Sequence, residues 1–264
     1  MEIDWSLLEG AVADASQHGT VGVAVLGPAG ERWSHHGDRA FRAASIVKVP
    51  LMIEIYRKID RGELHLDELH PLQGPEKARG SGVMLHLHDG VQLSLRDLIY
   101  LMISISDNTA TNLLIQRAGM DAVNQTMREL GMTNSNLGRE MKGRPATPGE
   151  TENWATPNDY VRVLTSILDT SAASPASCEA MIDMLEKQQN ARRIARFLPE
   201  REDLRWGSKT GSITAVTNDV GFVETPRGRM VIAVLCEGMP DQHIGEASIG
   251  SITLAACDAT GILA

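Results

Sequence analysis

The chain is expected to adopt an α+β fold: one antiparallel sheet, built from both ends of the sequence and flanked by helices, with an inserted all-helical part. Two observations carry this. Runs with strand character fall only near the termini, at 21–26 and 31–35 and again at 205–213, 218–224 and 230–237, whereas apolar residues between Ser45 and Phe197 recur at helical spacing. Strands at both ends of a helical middle close into one sheet only if the middle is an insertion. With 264 residues there is material for one substantial core or two subdomains, read here as a single domain 1–264. Its α/β part covers about 1–44 and 198–264, and its helical part about 45–197.

Taken in order, an amphipathic helix spans about 5–18, and two strands follow it. The next helix begins near Ser45 and runs through Tyr56 and Ile59, with Gly62 as its stop. Pro50 falls in its first turns, where a missing N–H costs little. Residues 95–103 form a buried helix with Ser94 as its cap, and 109–118 resume the helical pattern. The stretch 171–177 reads as an interhelical loop. Gly228 suits the turn between the last two strands, and a helix over about 244–256 closes the chain.

Three short strings carry chemistry when taken together. In Ser45-Ile46-Val47-Lys48, spacing of three on a helix sets Lys48 beside Ser45. A serine needs a base, and a lysine serves once burial and positive neighbours lower its pKa. Ser106-Asp107-Asn108 falls on a tight turn between two helices, which would present Ser106 and Asn108 to a cleft while Asp107 points back. Ser106 would relay a proton and Asn108 would bind a substrate amide. Lys209-Thr210-Gly211 reads as a strand beside a ligand: Lys209 and Thr210 suit a carboxylate, and Gly211 allows close backbone approach. The backbone N–H groups of Ser45 and Ser212 would form an oxyanion hole. Singly, each string is matched by a plainer reading, a helix cap for the first two and an edge strand for the third.

With all three in this order, the chain resembles the penicillin-recognising serine hydrolases, and within them the class A β-lactamase-like family. Gly80-Ser81-Gly82, the run from Leu93 to Leu98 and the run from Ser106 to Leu114 are also similar, so the resemblance covers nearly the whole chain. It implies acylation of Ser45 by a β-lactam, deprotonation by Lys48, protonation of the departing nitrogen by Ser106, and a substrate held by Asn108, Lys209, Thr210 and Gly211.

Two features depart from the family pattern. Its β-lactamases activate the second water with a glutamate in a Glu-x-x-Leu-Asn string, which is missing here. Counting back from Thr156-Pro157 without gaps places Glu140 at that position and Arg144 at the partner asparagine, with Glu150 and Glu152 as rivals if the loop is shorter. Many class A enzymes also set an arginine about where Asp219 falls, and an aspartate facing the site would repel an anionic substrate.

Composition narrows the remaining classes. Hydrophobic residues at 42% and charged ones at 22% fit a soluble globular protein, and a net charge of −9 argues against a nucleic-acid or acidic-membrane binder. The expected partner is a small-molecule β-lactam or a related amide or ester, acted on by a monomer. Cys178, Cys236 and Cys257 lack disulfide or zinc spacing, and no third ligand follows His35-His36 or His86 and His88, so neither a metal nor a cofactor is expected. The acidic start is not a signal peptide, which reads as cytoplasmic for the chain as written, or secreted or periplasmic if a leader has been removed. The leading function is a serine β-lactamase. The alternatives are a related esterase, amidase or peptidase-like hydrolase, and a β-lactam sensor that keeps its acyl group.

Overall fold

The computed structural model describes residues 3–264. Its main sheet has five antiparallel strands, in spatial order Arg32–His35 (β2), Thr20–Leu26 (β1), Gly228–Glu237 (β9), Val216–Thr225 (β8) and Arg205–Ile213 (β7). The first two strands of the chain thus lie beside the last three, as their positions at the two termini require. Apart from the edge strand β2, the sheet is largely buried on both faces. Val21, Val23, Val25, Ile232, Val234 and Cys236 join one apolar cluster, while Ala24, Val220, Phe222, Val231, Ala233 and Leu235 join another. Adjacent residues of a strand point to opposite faces, so a strand covered on both sides reads as a continuous apolar run.

The first cluster is closed by the terminal helices Ser6–Ser16 (α1) and Gln242–Thr260 (α8), through Leu8, Val12, Ile249, Ile252 and Ala256. The second is the core of the helical part: Lys48–Asp60 (α2), Leu95–Ser104 (α3), Asn108–Ala118 (α4), Met120–Glu129 (α5), Pro157–Leu168 (α6) and Pro175–Glu186 (α7). Nine consecutive residues of α2, Lys48 to Tyr56, are buried. One of them is Glu54, which accepts from Thr126 Oγ1 at 2.6 Å and Arg61 at 3.0 Å, so its charge stays paired. Ser94 caps α3 and exchanges hydrogen bonds with Asp97.

The middle of the chain is not purely helical. Phe41–Arg42 (β3) pairs with Trp154–Ala155 (β6), and Leu69–Pro71 (β4) pairs with Gln92–Ser94 (β5). Pieces of two or three residues are too short to leave an alternating pattern in sequence. A loop from about 138 to 153 is closed at its base by Asn153 Oδ1, which accepts from the N–H groups of Gly138 (2.7 Å) and Arg139 (2.9 Å).

Candidate active site

Ser45 sits on a single 3₁₀ turn, Ala44–Val47, that leads into α2. The helix proper therefore starts at Lys48, three residues later than the spacing suggests. Ala44 has φ +47° and Ser106 has φ +61°, so a non-glycine residue in the left-handed region lies next to or within each of the first two motifs. Such strain persists only where surrounding packing enforces it, and it gathers at functional sites.

Asp107 supplies part of that enforcement. Its Oδ2 accepts from the N–H groups of Val83 (2.7 Å) and Met84 (2.8 Å), and its Oδ1 accepts from Ala110 N–H (3.0 Å) as the cap of α4. A Cβ on Gly82, at φ +109°, would collide with this carboxylate, so glycine is required there. With Asp107 turned inward, Ser106 and Asn108 face Lys48. Lys48 Nζ lies 2.8 Å from the Ser106 carbonyl oxygen, 2.9 Å from Ser106 Oγ and 3.0 Å from Asn108 Oδ1. Asn108 is oriented from its other side by the Arg79 carbonyl at 2.9 Å. Lys48 is fully buried, and burial, reinforced by the charge of Lys209, pushes its ammonium well below the usual lysine value against the pull of Asp107.

Strand β7 closes the other side. A Cβ on Gly211 would sit 2.9 Å from the Ala43 carbonyl and 3.1 Å from Ser45 N. Glycine thus lets the strand lie directly against the backbone of Ser45, which brings Ser212 beside it. Ser45 and Ser212 border two adjoining cavities. One, of about 480 Å³, is also lined by Ser106, Thr210, Gln188 and Arg193, and the other, of about 250 Å³, by Asn108, Glu140 and Met141. Lys209 stands behind this surface, fully buried, donating to the Thr210 carbonyl at 2.9 Å. Burial, together with Arg193, lowers it to about 7 although Asp219 opposes the shift. A larger cavity of about 700 Å³, between the β1–β2 edge and α6, contains none of these groups.

Asp219 does not face the cavities. It is fully buried opposite Thr210, and its Oδ2 accepts from Ile194 N–H at 3.1 Å. Burial raises it to about 6 despite the nearby Arg193 guanidinium. Arg193 is the functional candidate that motif reading passes over. It donates to the carbonyls of Gly211 (3.0 Å) and Asn218 (2.6 Å) and to Ser212 Oγ, and it lies 3.6 Å from Glu246. It therefore delivers a cation to the end of the Lys-Thr-Gly strand from the irregular stretch after α7. No periodicity marks that stretch, and nothing in sequence separates Arg193 from its neighbours Arg192 and Arg196.

The three loop glutamates are placed differently. Glu150 is bound by Lys142 (2.6 Å), Arg144 (2.7 Å) and Thr147, and Glu152 by Arg139 (3.0 Å). Glu140 borders the smaller cavity, but its carboxylate accepts from Gln116 on the exposed flank of α4 at 3.4 Å. The residue whose backbone is clamped is Met141: its N–H donates to Asn112 Oδ1 (2.8 Å) and its carbonyl accepts from Asn112 Nδ2 (3.0 Å). Asn112 lies one helical turn beyond Asn108, a spacing that could have marked it in sequence.

Among the described residues no helix is long and apolar enough to cross a membrane. A family model described as "Beta-lactamase enzyme family" matches residues 8–260. The crystal structure of a β-lactamase from Sphaerobacter thermophilus is 59% identical, with 98% of each chain covered and a TM-score of 0.97. An ancestral class A β-lactamase is 29% identical, covering 96% of this chain and 99% of that one, with a TM-score of 0.87. The β-lactamase BRO-1 of Moraxella catarrhalis is 26% identical over 206 residues, which span 77% of this chain but 65% of that protein. The chain belongs to the β-lactamase enzyme family, and its fold is that of the class A β-lactamases.

Proposed function

We propose that the protein is a serine β-lactamase that opens a β-lactam ring through an ester on Ser45, acting as a monomer on a small-molecule substrate. The observation that carries this reading is the buried Lys48, one helical turn from Ser45 and within 3.0 Å of both Ser106 Oγ and Asn108 Oδ1. A lysine held in that environment favours its neutral form and can take a proton from Ser45.

In the proposed acylation, Ser45 Oγ attacks the ring carbonyl carbon as its proton passes to Lys48 Nζ. The amides of Ser45 and Ser212 receive the oxyanion. The C–N bond then breaks, Ser106 Oγ gives its proton to the nitrogen, and Lys48 replaces that proton. Asn108 Nδ2 or its backbone neighbours would meet the side-chain amide of the substrate. Thr210, Ser212 and Arg193, backed by Lys209, form the side of the cleft suited to a carboxylate, with Gly211 allowing the strand to come close. Asp219, buried opposite Thr210 and bound to the Ile194 N–H, does not face an anion there.

The test is Ser45→Ala examined with a penicillin and a cephalosporin by intact mass and by ring-opening absorbance. Adduct and turnover should both vanish while the melting temperature is kept. Hydrolysis that survives in this variant removes Ser45 from the mechanism.

A further inference from the structure

An ester on Ser45 must be released by water, and the 138–153 loop offers three carboxylates as the base. We propose instead that Lys48 is the general base of deacylation and that no carboxylate of this loop takes part. The inference rests on the acyl-enzyme reading given above and deepens it.

Each loop carboxylate is committed elsewhere. Glu150 accepts from Lys142, from Arg144 and from the backbone and hydroxyl of Thr147, all at 2.6–2.9 Å in their shortest contacts. Glu152 accepts from Arg139 (3.0 Å) and from the N–H groups of Ala146 (3.1 Å) and Asn153 (2.9 Å). Hydrogen bonds hold the Glu150 carboxyl far below the ordinary carboxylate range; for Glu152 burial pushes upward, but its hydrogen bonds together win and lower it, so both are weak bases. Glu140 meets Gln116 on the outer side of α4. Among the described residues no hydrogen bond joins any of the three to Ser45, Lys48, Ser106 or Asn108. The position that Asn112 fixes at both backbone groups carries Met141, whose side chain is buried in the apolar core of the helical part. A thioether there cannot take a proton from water.

The proton balance leaves Lys48 ready for the task. During acylation it receives one proton from Ser45 and gives one to Ser106, so it ends neutral. Water then attacks the ester carbonyl carbon while its proton passes to Lys48 Nζ. The tetrahedral centre collapses, the bond from carbon to Ser45 Oγ breaks, and Lys48 returns the proton to that oxygen. The ring-opened acid leaves and the free serine is restored, with no other reactant needed.

The experiment follows the benzylpenicillin adduct by intact mass after excess drug is removed, in the unaltered protein and in Glu140→Gln, across pH. A dedicated base contributes about 10²–10⁴-fold, so the proposal expects Glu140→Gln to change the decay rate by no more than about threefold. The decay should also quicken with rising pH along the same curve in both proteins. The charged groups that set this curve are Lys209 from β7, which favours neutral Lys48, and Asp107 from the turn before α4, which opposes it. Decay slowed a hundredfold in Glu140→Gln, or an acid limb of the profile that this variant abolishes, overturns the assignment to Lys48 and leaves the acyl-enzyme intact. Failure of any adduct to form in the unaltered protein overturns the acyl-enzyme reading itself, and this inference falls with it.

Discussion

The strand side of the cleft carries Arg193, Lys209, Asp219 and Glu246, none more than 1% exposed, whereas the loop opposite carries the exposed Lys142 and Arg144 around a partly exposed Glu150. Both regions balance positive and negative groups, yet the balance has different consequences. On the strand side every charge has lost its solvent, so each depends on fixed partners, and removing one strands the others. In the loop the same kinds of pair form short contacts, but water and salt can replace them. Short ion-pair distances therefore do not identify which charges matter. On the proposed reading the buried set is where a substrate anion is met, and the exposed set shapes a loop.

The largest effect that would sharpen this contrast comes from Arg193→Met. It removes donors to Gly211, Asn218 and Ser212 and leaves Asp219 and Glu246 buried beside no guanidinium. Breaking such a set costs about 3–5 kcal/mol. For a chain of this size that is roughly 10 °C in melting temperature, at about 2–4 °C per kcal/mol. The KM for penicillins should rise at least tenfold at the same time, since the cation beside Ser212 is lost. A variant with unchanged melting temperature and KM would show that the strand side tolerates loss of a charge as the loop does.

A smaller, pH-dependent effect is expected from Asp219→Asn. Burial raises Asp219 to about 6 in the folded protein, above its value in the unfolded chain. The folded state therefore holds this proton more tightly, and the carboxyl contributes stability at low pH that is lost as pH rises through about 6. The melting temperature of the unaltered protein, minus that of Asp219→Asn, should fall between about pH 4 and pH 6 and then level off. A difference that is flat, or that rises with pH, would mean that the attraction of Arg193 outweighs the burial of Asp219.

The same contrast explains what could be read from the sequence. Ser45, Lys48, Ser106, Asn108 and Lys209 are legible because each motif is local: the residues lie within one helical turn, one loop or one strand, where spacing alone sets their mutual direction. The two-ended sheet is legible for a similar reason, since β1 and β9 are largely apolar runs of seven and ten residues. Arg193 is not, because it reaches the site from an irregular stretch and is held by carbonyls that have no sequence signature. The loop is intermediate. Counting from Thr156 marks Glu140, while the Asn112 clamp falls on Met141, one residue further on. Glu140 and Met141 both border the smaller cavity, but the clamped residue carries a thioether, and the neighbouring carboxylate is drawn to Gln116 on the exposed flank of α4.

The smallest effect belongs to the loop itself. Glu150 gathers Lys142, Arg144 and Thr147, and these hydrogen bonds hold its carboxyl far below the ordinary carboxylate range. Its surroundings are open to solvent, however, so water can take over much of what those partners supply. Glu150→Gln should leave the melting temperature within experimental error of the parent. Amide exchange should still quicken over residues 142–150, because the backbone N–H of Thr147 is tied to this carboxylate, while the base of the loop, closed by Asn153 and by the Arg139–Glu152 pair, stays protected. The decay of the penicilloyl adduct should not change. If it slows together with faster exchange at 142–150, the loop's surface charges reach the chemistry after all, and the separation between a buried, functional set and an exposed, structural one would have to be given up.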